Sequence, residues 1–472
     1  MSKVRVNSIN PFTGQNITLG GHAIPSGSDK NLGSETQAWA EIYVSTGSVN
    51  FVAPVTLGQP TVVVASIKAG GEAGVSGPTQ GMIFTETNGN LRGSFSVGRN
   101  NRALGTASLA VGRLNTSSGD FSLAQGLGTQ ASGPVSHAEG GYNIASATYS
   151  HAEGQATLAS GAGSHAEGYA TIASGSYSHT EGETTLASGD YSHAEGRSTT
   201  ASGVGSHAEG GFARALGTRS HAEGANTIAL GDASHAEGNL TSASGNYSHA
   251  EGQQTLAQGQ YSHAEGNSTY ATGIGSHAEG QYTNAIGTYS HAEGLSAYAS
   301  GNYSHAEGHS TTARGIYSHV EGYRTITSGG YSHAEGIDTI ALGNGSHAEG
   351  LYTTASGPSS HASGESTIAL GDASYAGGYQ TIASGANQTV VGQWNAQSNT
   401  DSLFIVGAGN GSGTRKDGFS VELDANNVRP HIVLPTNTSN PTNPKTGSMY
   451  FNPSTNLMFI YNGTAWRSSS FA

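Results

Sequence analysis

The stretch that decides the fold is "YSHAEGQATLASGAGSHAEGYATIASGSYSHTEG", residues 149–182. "SHAEG" then keeps returning, with histidines at 137, 151, 165, 179 and onward to 361 in unbroken steps of 14. Seventeen of the 20 histidines and sixteen of the 32 acidic residues belong to this motif. Such a column suggests a proton relay, a row of metal sites or a catalytic array, and each has to be weighed against plain architecture.

A chain of 472 residues would ordinarily hold about three globular domains. Here glycine reaches 72 residues, hydrophobic residues are held to 35% and charged residues to 11%, too sparse for conventional cores. Disorder is the usual alternative at low hydrophobicity, but disordered chains do not keep a fixed register over some 300 residues. A strict period means a repeat architecture, in which each unit buries its face against its neighbours.

There is no cysteine, so disulfides and thiolate metal sites are excluded. The N-terminal "MSKVRVNSINPFTG" lacks an apolar signal-peptide core, and "TVVVA" (61–65) is too short to span a bilayer. The expectation is a soluble chain with no membrane insertion and no recognisable N-terminal export signal. A formal charge of −14, with no lysine between Lys68 and Lys416, argues against nucleic acid as a partner.

Five regions follow. Residues 1–93 are irregular and β-patterned ("AEIYVSTGSVNFV", "PTVVVASIKAG") and form the N-terminal β-rich region. Residues 94–392 carry the repeat, which begins softly as "SFSVG" (94–98), "SLAVG" (108–112) and "SLAQG" (122–126). It ends through "SHASG" (360–364), "SYAGG" (374–378) and "QTVVG" (388–392), making 22 turns from Phe95 to Thr389. Atypical terminal repeats are what capping requires. Residues 393–428 read as a β-hairpin cap, 429–446 as an extended Pro/Asn/Thr-rich connector, and 447–472 as a short β-meander.

Fourteen residues are too few for a pair of helices but suffice for two short strands and two tight turns. The fold class is therefore all-β: a parallel β-roll of 14-residue repeats, roughly 105 Å long if turns stack at ~4.8 Å. Side chains alternate along a strand, so in "SHAEG" Ser, Ala and Gly share one face while His and Glu share the other. In "TIASG" (171–175), Thr171, Ala173 and Gly175 likewise share a face. Small residues suit the interior of a thin roll, which turns His and Glu outward. At the ends of the repeat those outer columns hold Phe95, Val97, Leu109, Val111 and Val391, residues suited to meeting another protein surface. Self-association about the long axis is the simplest arrangement; we infer a homotrimer, although repeat geometry alone also admits a dimer.

The pattern "SxAxG…AxG" at 14-residue spacing resembles the head repeat of the YadA-like trimeric autotransporter adhesins. That resemblance covers residues 94–392 and implies a left-handed parallel β-roll, three chains side by side, with the x positions of "SxAxG" facing the trimer axis. The sequence carries no pattern of a long heptad stalk, a membrane-anchor barrel or a signal peptide, so the expectation departs from those adhesins. Its flanks, "LGSETQAWAEIYVSTGSVNF" (32–51) and "GSMYFNPSTNLMFIYNGTAW" (447–466), resemble segments of bacteriophage fibre proteins. The resemblances imply a virion appendage that attaches to a host-surface receptor or glycan and contacts other virion proteins through its N-terminal region. A bacterial cell-surface adhesin is the alternative, and a glycan-cleaving or autoprocessing appendage a more distant one.

The expected axial ladder consists of His137, His151, His165, His179, His193, His207, His221, His235, His249, His263, His277, His291, His305, His319, His333, His347 and His361. Its carboxylates are Glu139, Glu153, Glu167, Glu181, Glu195, Glu209, Glu223, Glu237, Glu251, Glu265, Glu279, Glu293, Glu307, Glu321, Glu335 and Glu349. Catalysis is disfavoured because Ser136 and His137 point to opposite faces and no distinct pocket is implied. "HAE" also resembles the H-x-E of zinc deaminases, which need a cysteine pair this chain lacks. No cofactor is expected. Axial ion sites, for example at His137, His151 and His165, are geometrically open to a set of three imidazoles. The structural expectation is a polar ladder in which each Glu accepts hydrogen bonds from a His on its own or a neighbouring chain. Stacked carboxylates would keep some imidazoles charged near neutrality, so that raising the pH well above 8 would weaken the trimer.

Two further columns stand out. Tyr149, Tyr177, Tyr191, Tyr247, Tyr261, Tyr289, Tyr303, Tyr317 and Tyr331 precede the motif serine, and they suit packing at corners better than a glycan surface. Leu158, Ile172, Leu186, Ile228, Leu256, Ile326, Ile340, Ile368 and Ile382 mark the second strand. Tyr450, Phe451, Phe459, Tyr461 and Trp466 concentrate near the C-terminus as a possible receptor tip or a simple cap.

Overall fold

The computed structural model describes residues 83–87, 90–397, 400–423, 430–434, 436, 439–442 and 444–469. The chain divides between Val63 and Val64, and all the described residues belong to the second unit. The expected β patterns at 40–52 and 60–70, and the flank at 32–51, lie outside the described residues.

Each 14-residue turn is built from two similar seven-residue halves. The first half forms a strand such as His207–Gly211, and the second a two-residue strand such as Arg214–Ala215. Both lanes stack in parallel with an offset of one repeat, His207 on His221 in the first lane and Arg214 on Ile228 in the second. The first lane holds 22 such strands between Asn90–Arg99 and Thr389–Gln393, so the register read from sequence is the register of the fold. Strand amides donate to the following turn, as His151 N does to the Ser164 carbonyl at 2.8 Å. Corner amides donate to the preceding one, as Tyr149 N does to the Pro134 carbonyl at 3.0 Å. The corners thus satisfy their backbone groups as strands do, which lets so short a coil stack without orphaned donors.

Each half begins after a residue in the left-handed region, for instance Tyr149 at φ 59 and Ala156 at φ 59. Such a conformation costs a non-glycine residue on the order of 1 kcal/mol, repeated at nearly every corner and offset by the corner hydrogen bond. The glycine of "SxAxG" is held more stringently. Gly238 has φ +111, and a Cβ there would stand 2.1 Å from the Gly252 carbonyl oxygen. The corresponding glycine of the second half is replaced once, by Ala147.

The interior is a double column of small side chains. Alanines from Ala110 to Ala383 are fully buried, and the motif serines and threonines beside them are buried too. Serine hydroxyls donate across the corner, as Ser178 Oγ does to the Gly175 carbonyl at 2.7 Å. Larger residues enter near the C-terminal end, with Val390 and Ile405 fully buried. There Gln388 replaces the motif serine. Its amide accepts from Ser384 N at 2.8 Å and donates to the Ser402 carbonyl at 3.0 Å.

Both ends are closed by antiparallel strands. Ile83–Thr87 pairs with Asn90–Arg99 at the start. At the finish Ser402–Ala408 lies parallel on Thr389–Gln393, and Asp417–Leu423 folds back antiparallel on it. The expected connector is in part a strand: Pro430–Val433 pairs antiparallel with Asp417–Leu423, because "HIV" offers β-branched residues beside an unfilled edge. Reversing strand direction blunts an edge that would otherwise template another roll. The C-terminal meander comprises Met449–Asn452, Leu457–Tyr461 and Trp466–Ser469. Its first turn is held by Asn452 Oδ1, which accepts from Ser454 N at 2.9 Å.

Candidate functional site

Because Ser and Ala fill the roll, His and Glu of every "HAE" turn stand outside it. Parallel in-register stacking then places identical side chains one strand spacing apart. The imidazoles stack from His137 to His361, with ring centroids 4.6 Å apart for His137 and His151 and 4.9 Å for His319 and His333. The planes stay close to parallel, 1° between His151 and His165 and 18° at most between His179 and His193. Each ring is about one-third exposed in the isolated chain, yet Nε2 is inaccessible to solvent and unbonded in sixteen of the seventeen.

The Nε2 atoms face carboxylates. His291 Nε2 lies 3.4 Å from Glu293 of its own turn, and His207 Nε2 3.5 Å from Glu209. Others face the preceding turn, His179 at 3.6 Å from Glu167 and His361 at 3.3 Å from Glu349. Glu153 stands between two rings, 3.9 Å from both His151 and His165. Of these contacts only His361–Glu349 is a hydrogen bond, so the expected ladder of His–Glu hydrogen bonds is not formed within the chain. Stacking sets the ring positions, and at this spacing a carboxylate cannot approach both flanking rings closely.

Burial, reinforced by the neighbouring imidazoles, lowers the pKa of His137, His165, His193, His221, His235, His263, His333 and His361. The same causes bring His291 down to about 4, and burial with the His319 charge also lowers His305. Within a single chain the shift of these ten rings favours the uncharged imidazole, the direction opposite to the expected imidazolium charge near neutrality. Among the carboxylates, a hydrogen bond shared with Glu153, with burial, pushes Glu167 up to about 7, while the same bond lowers Glu153.

The column has hydrogen-bonded ends. Gln125 Nε2 donates to Glu139 Oε2 below the first histidine, and Tyr375 Oη pairs with Ser363 Oγ at 2.9 Å beyond the last. These residues escaped sequence reading, although each occupies a His or Glu position in its turn. Beside the carboxylates runs a shallow groove of about 800 Å³, floored by glycines from Gly112 to Gly182 and walled by Glu139, Glu153, Glu167 and Glu181. The motif serines lie on the other side of the backbone from the imidazoles, Ser136 being 1% exposed, so Ser and His are not brought together.

The tyrosines occupy left-handed corners and are exposed, and those on adjacent turns stack on one another. Tyr289, Tyr303, Tyr317 and Tyr331 form a continuous stack at 4.9–5.4 Å. At three glycine corners a tyrosine one turn on lies over the glycine, Tyr142 on Gly128, Tyr177 on Gly163 and Tyr289 on Gly275. Inside such a stack the ring faces cover each other, which leaves edges rather than faces for a sugar. The Leu/Ile column is half-buried on the second strand, with Ile172 the most open. At the C-terminus Tyr450 is 2% exposed, stacked on Phe459 and edge-on to Trp466, with its hydroxyl donating to Asn440 Oδ1 at 2.7 Å. It is the core of the meander rather than part of a contact surface; Phe451, Phe459, Tyr461 and Trp466 are half-buried.

With this geometry in place, comparison with known proteins is informative. A family model described as the YadA head domain repeat, two copies per match, fits residues 194–220, 208–234, 222–248, 334–360 and 362–387. Over these residues the roll is similar to the YadA head repeat. No curated protein matches the chain. Among the described residues no helix is long and apolar enough to cross a membrane.

Proposed function

We propose that this chain is a structural attachment rod. Three copies pack side by side about the His/Glu face, and the rod acts by reach and adhesion without catalysis. The observation that carries this reading is the outward column itself: sixteen inaccessible Nε2 atoms left unbonded within one chain, on a face flanked at its ends by Leu109, Val111 and Val391. Neighbouring copies presenting the same His and Glu rows cover the imidazole and carboxylate edges that one chain leaves about one-third exposed.

The rod is borne on a virus particle, its N-terminal region bound to other virion proteins and its free end directed to a host receptor or glycan. The flanks at 32–51 and 447–466 support that placement. A bacterial cell-surface adhesin is the second reading, favoured by the match to YadA head repeats. Immunogold electron microscopy with antibody raised to the purified roll tests the choice. Gold along fibres of phage particles is expected. Label confined to the bacterial envelope would overturn the viral placement in favour of the adhesin.

A further inference from the structure

We propose that the His/Glu column is a ladder of divalent transition-metal sites, each ion held by one imidazole Nε2 and one glutamate oxygen from a chain. The donor set is right: neutral imidazole with carboxylate suits zinc and its neighbours, and thiolates are not required. So is the spacing. Two donors bound about 2.0 Å from a tetrahedral ion stand about 3.3 Å apart. The Nε2-to-carboxylate distances are 3.3 Å at His361–Glu349, 3.4 Å at His291–Glu293 and 3.5 Å at His263–Glu265. His–Glu–His groups with ligand atoms within 4.8 Å of one another recur along the column, as at His207, Glu209 and His221.

Geometry also limits the site. Stacked parallel rings direct their Nε2 lone pairs side by side, and with centroids 4.8 Å apart at His207 and His221 they do not converge on one ion. Each ion therefore takes one His and one Glu from a chain and completes its shell with water or with the same residues of neighbouring copies. That last element rests on the trimeric reading above; the His/Glu pair does not.

The test uses the full chain, stripped with EDTA, dialysed and titrated calorimetrically with zinc chloride. Excising residues 206–275 joins Gly205 to Ser276 in register and removes five of the sixteen His-x-Glu turns. Uptake of several zinc ions per chain is expected, falling by about a third in the excised rod. A second variant keeps the length and changes Glu209, Glu223, Glu237, Glu251 and Glu265 to glutamine, with the same fall expected. Uptake below one ion per chain, or stoichiometry unchanged in whichever variant retains its circular dichroism spectrum, overturns the proposal. Sedimentation of the same samples separates the two ideas: a trimer without zinc removes only the metal ladder, and a monomer with zinc removes only the trimer.

Discussion

Replacing Gly238 by alanine is expected to break the roll locally. The new methyl group would meet the Gly252 carbonyl oxygen at 2.1 Å and its carbon at 3.0 Å, and both belong to backbone that the next turn holds in place. The residue would also have to keep φ +111, outside the regions open to an L side chain. Together these effects are worth roughly 3–5 kcal/mol, the range reserved for severe point mutations. Because a solenoid gains stability from neighbouring turns, the cost falls on one interface and divides the ladder there. Thermal denaturation should gain an earlier transition, and limited proteolysis a new cut between residues 238 and 252. Gly211→Ala is the control. A Cβ there meets nothing within 4 Å, and Ala225 already occupies the same place one turn on. That variant should lie within about 0.5 kcal/mol of the parent.

Acid should destabilise the assembled rod more than any single surface substitution. An unfolded histidine takes up a proton near 6.5, whereas ten rings of the folded column resist until lower pH, at about 4 for His291. Between those values the unfolded chain binds more protons, so stability is complete above about 6.5 and declines as pH falls toward the folded pKa values. Below them both states are protonated and the loss levels off. Glu167, raised to about 7, acts in the opposite sense, since the folded state there holds a proton that an unfolded carboxyl has lost. Ten lowered histidines outweigh that one carboxyl on the acid side. In EDTA, the melting temperature should fall by several degrees from pH 7.5 to pH 4.5. A melting temperature that rises over that range would contradict the burial of neutral imidazoles.

Why the architecture was readable follows from the same residues. A constant 14-residue offset puts His on His and Ala on Ala, and alternation fixes which column is inside. Both arguments need only residue identity and spacing. The corners were hidden because no residue type marks them: Tyr149, Ala156, Arg219 and Gln254 all adopt the left-handed conformation. What selects it is the hydrogen bond to the preceding turn, a property of the coil rather than of the side chain. The site was legible as a column but not as chemistry. Its protonation depends on how deeply stacking buries Nε2, and its hydrogen-bonded ends depend on Gln125 and Tyr375 standing in register with Glu139 and His361. The aromatic C-terminal segment was only partly legible, for a simpler reason. An aromatic cluster in sequence does not reveal which ring lies inside, and Tyr450 does.

That the His/Glu face is where copies of the chain meet can be tested with one thiol, since the sequence contains no cysteine. Glu251→Cys places it on the column, and Gln258→Cys places it at an exposed position just after the second strand, Leu256–Ala257, of the same turn. Disulfides form only when Cβ atoms approach to about 3.5–4.5 Å. Under mild oxidation, non-reducing electrophoresis should show Glu251→Cys as disulfide-linked dimers, up to two chains in each trimer, with Gln258→Cys unlinked. Glu251→Cys remaining at the single-chain mass of 47.7 kDa while Gln258→Cys cross-links would contradict an axis built on the histidines and glutamates.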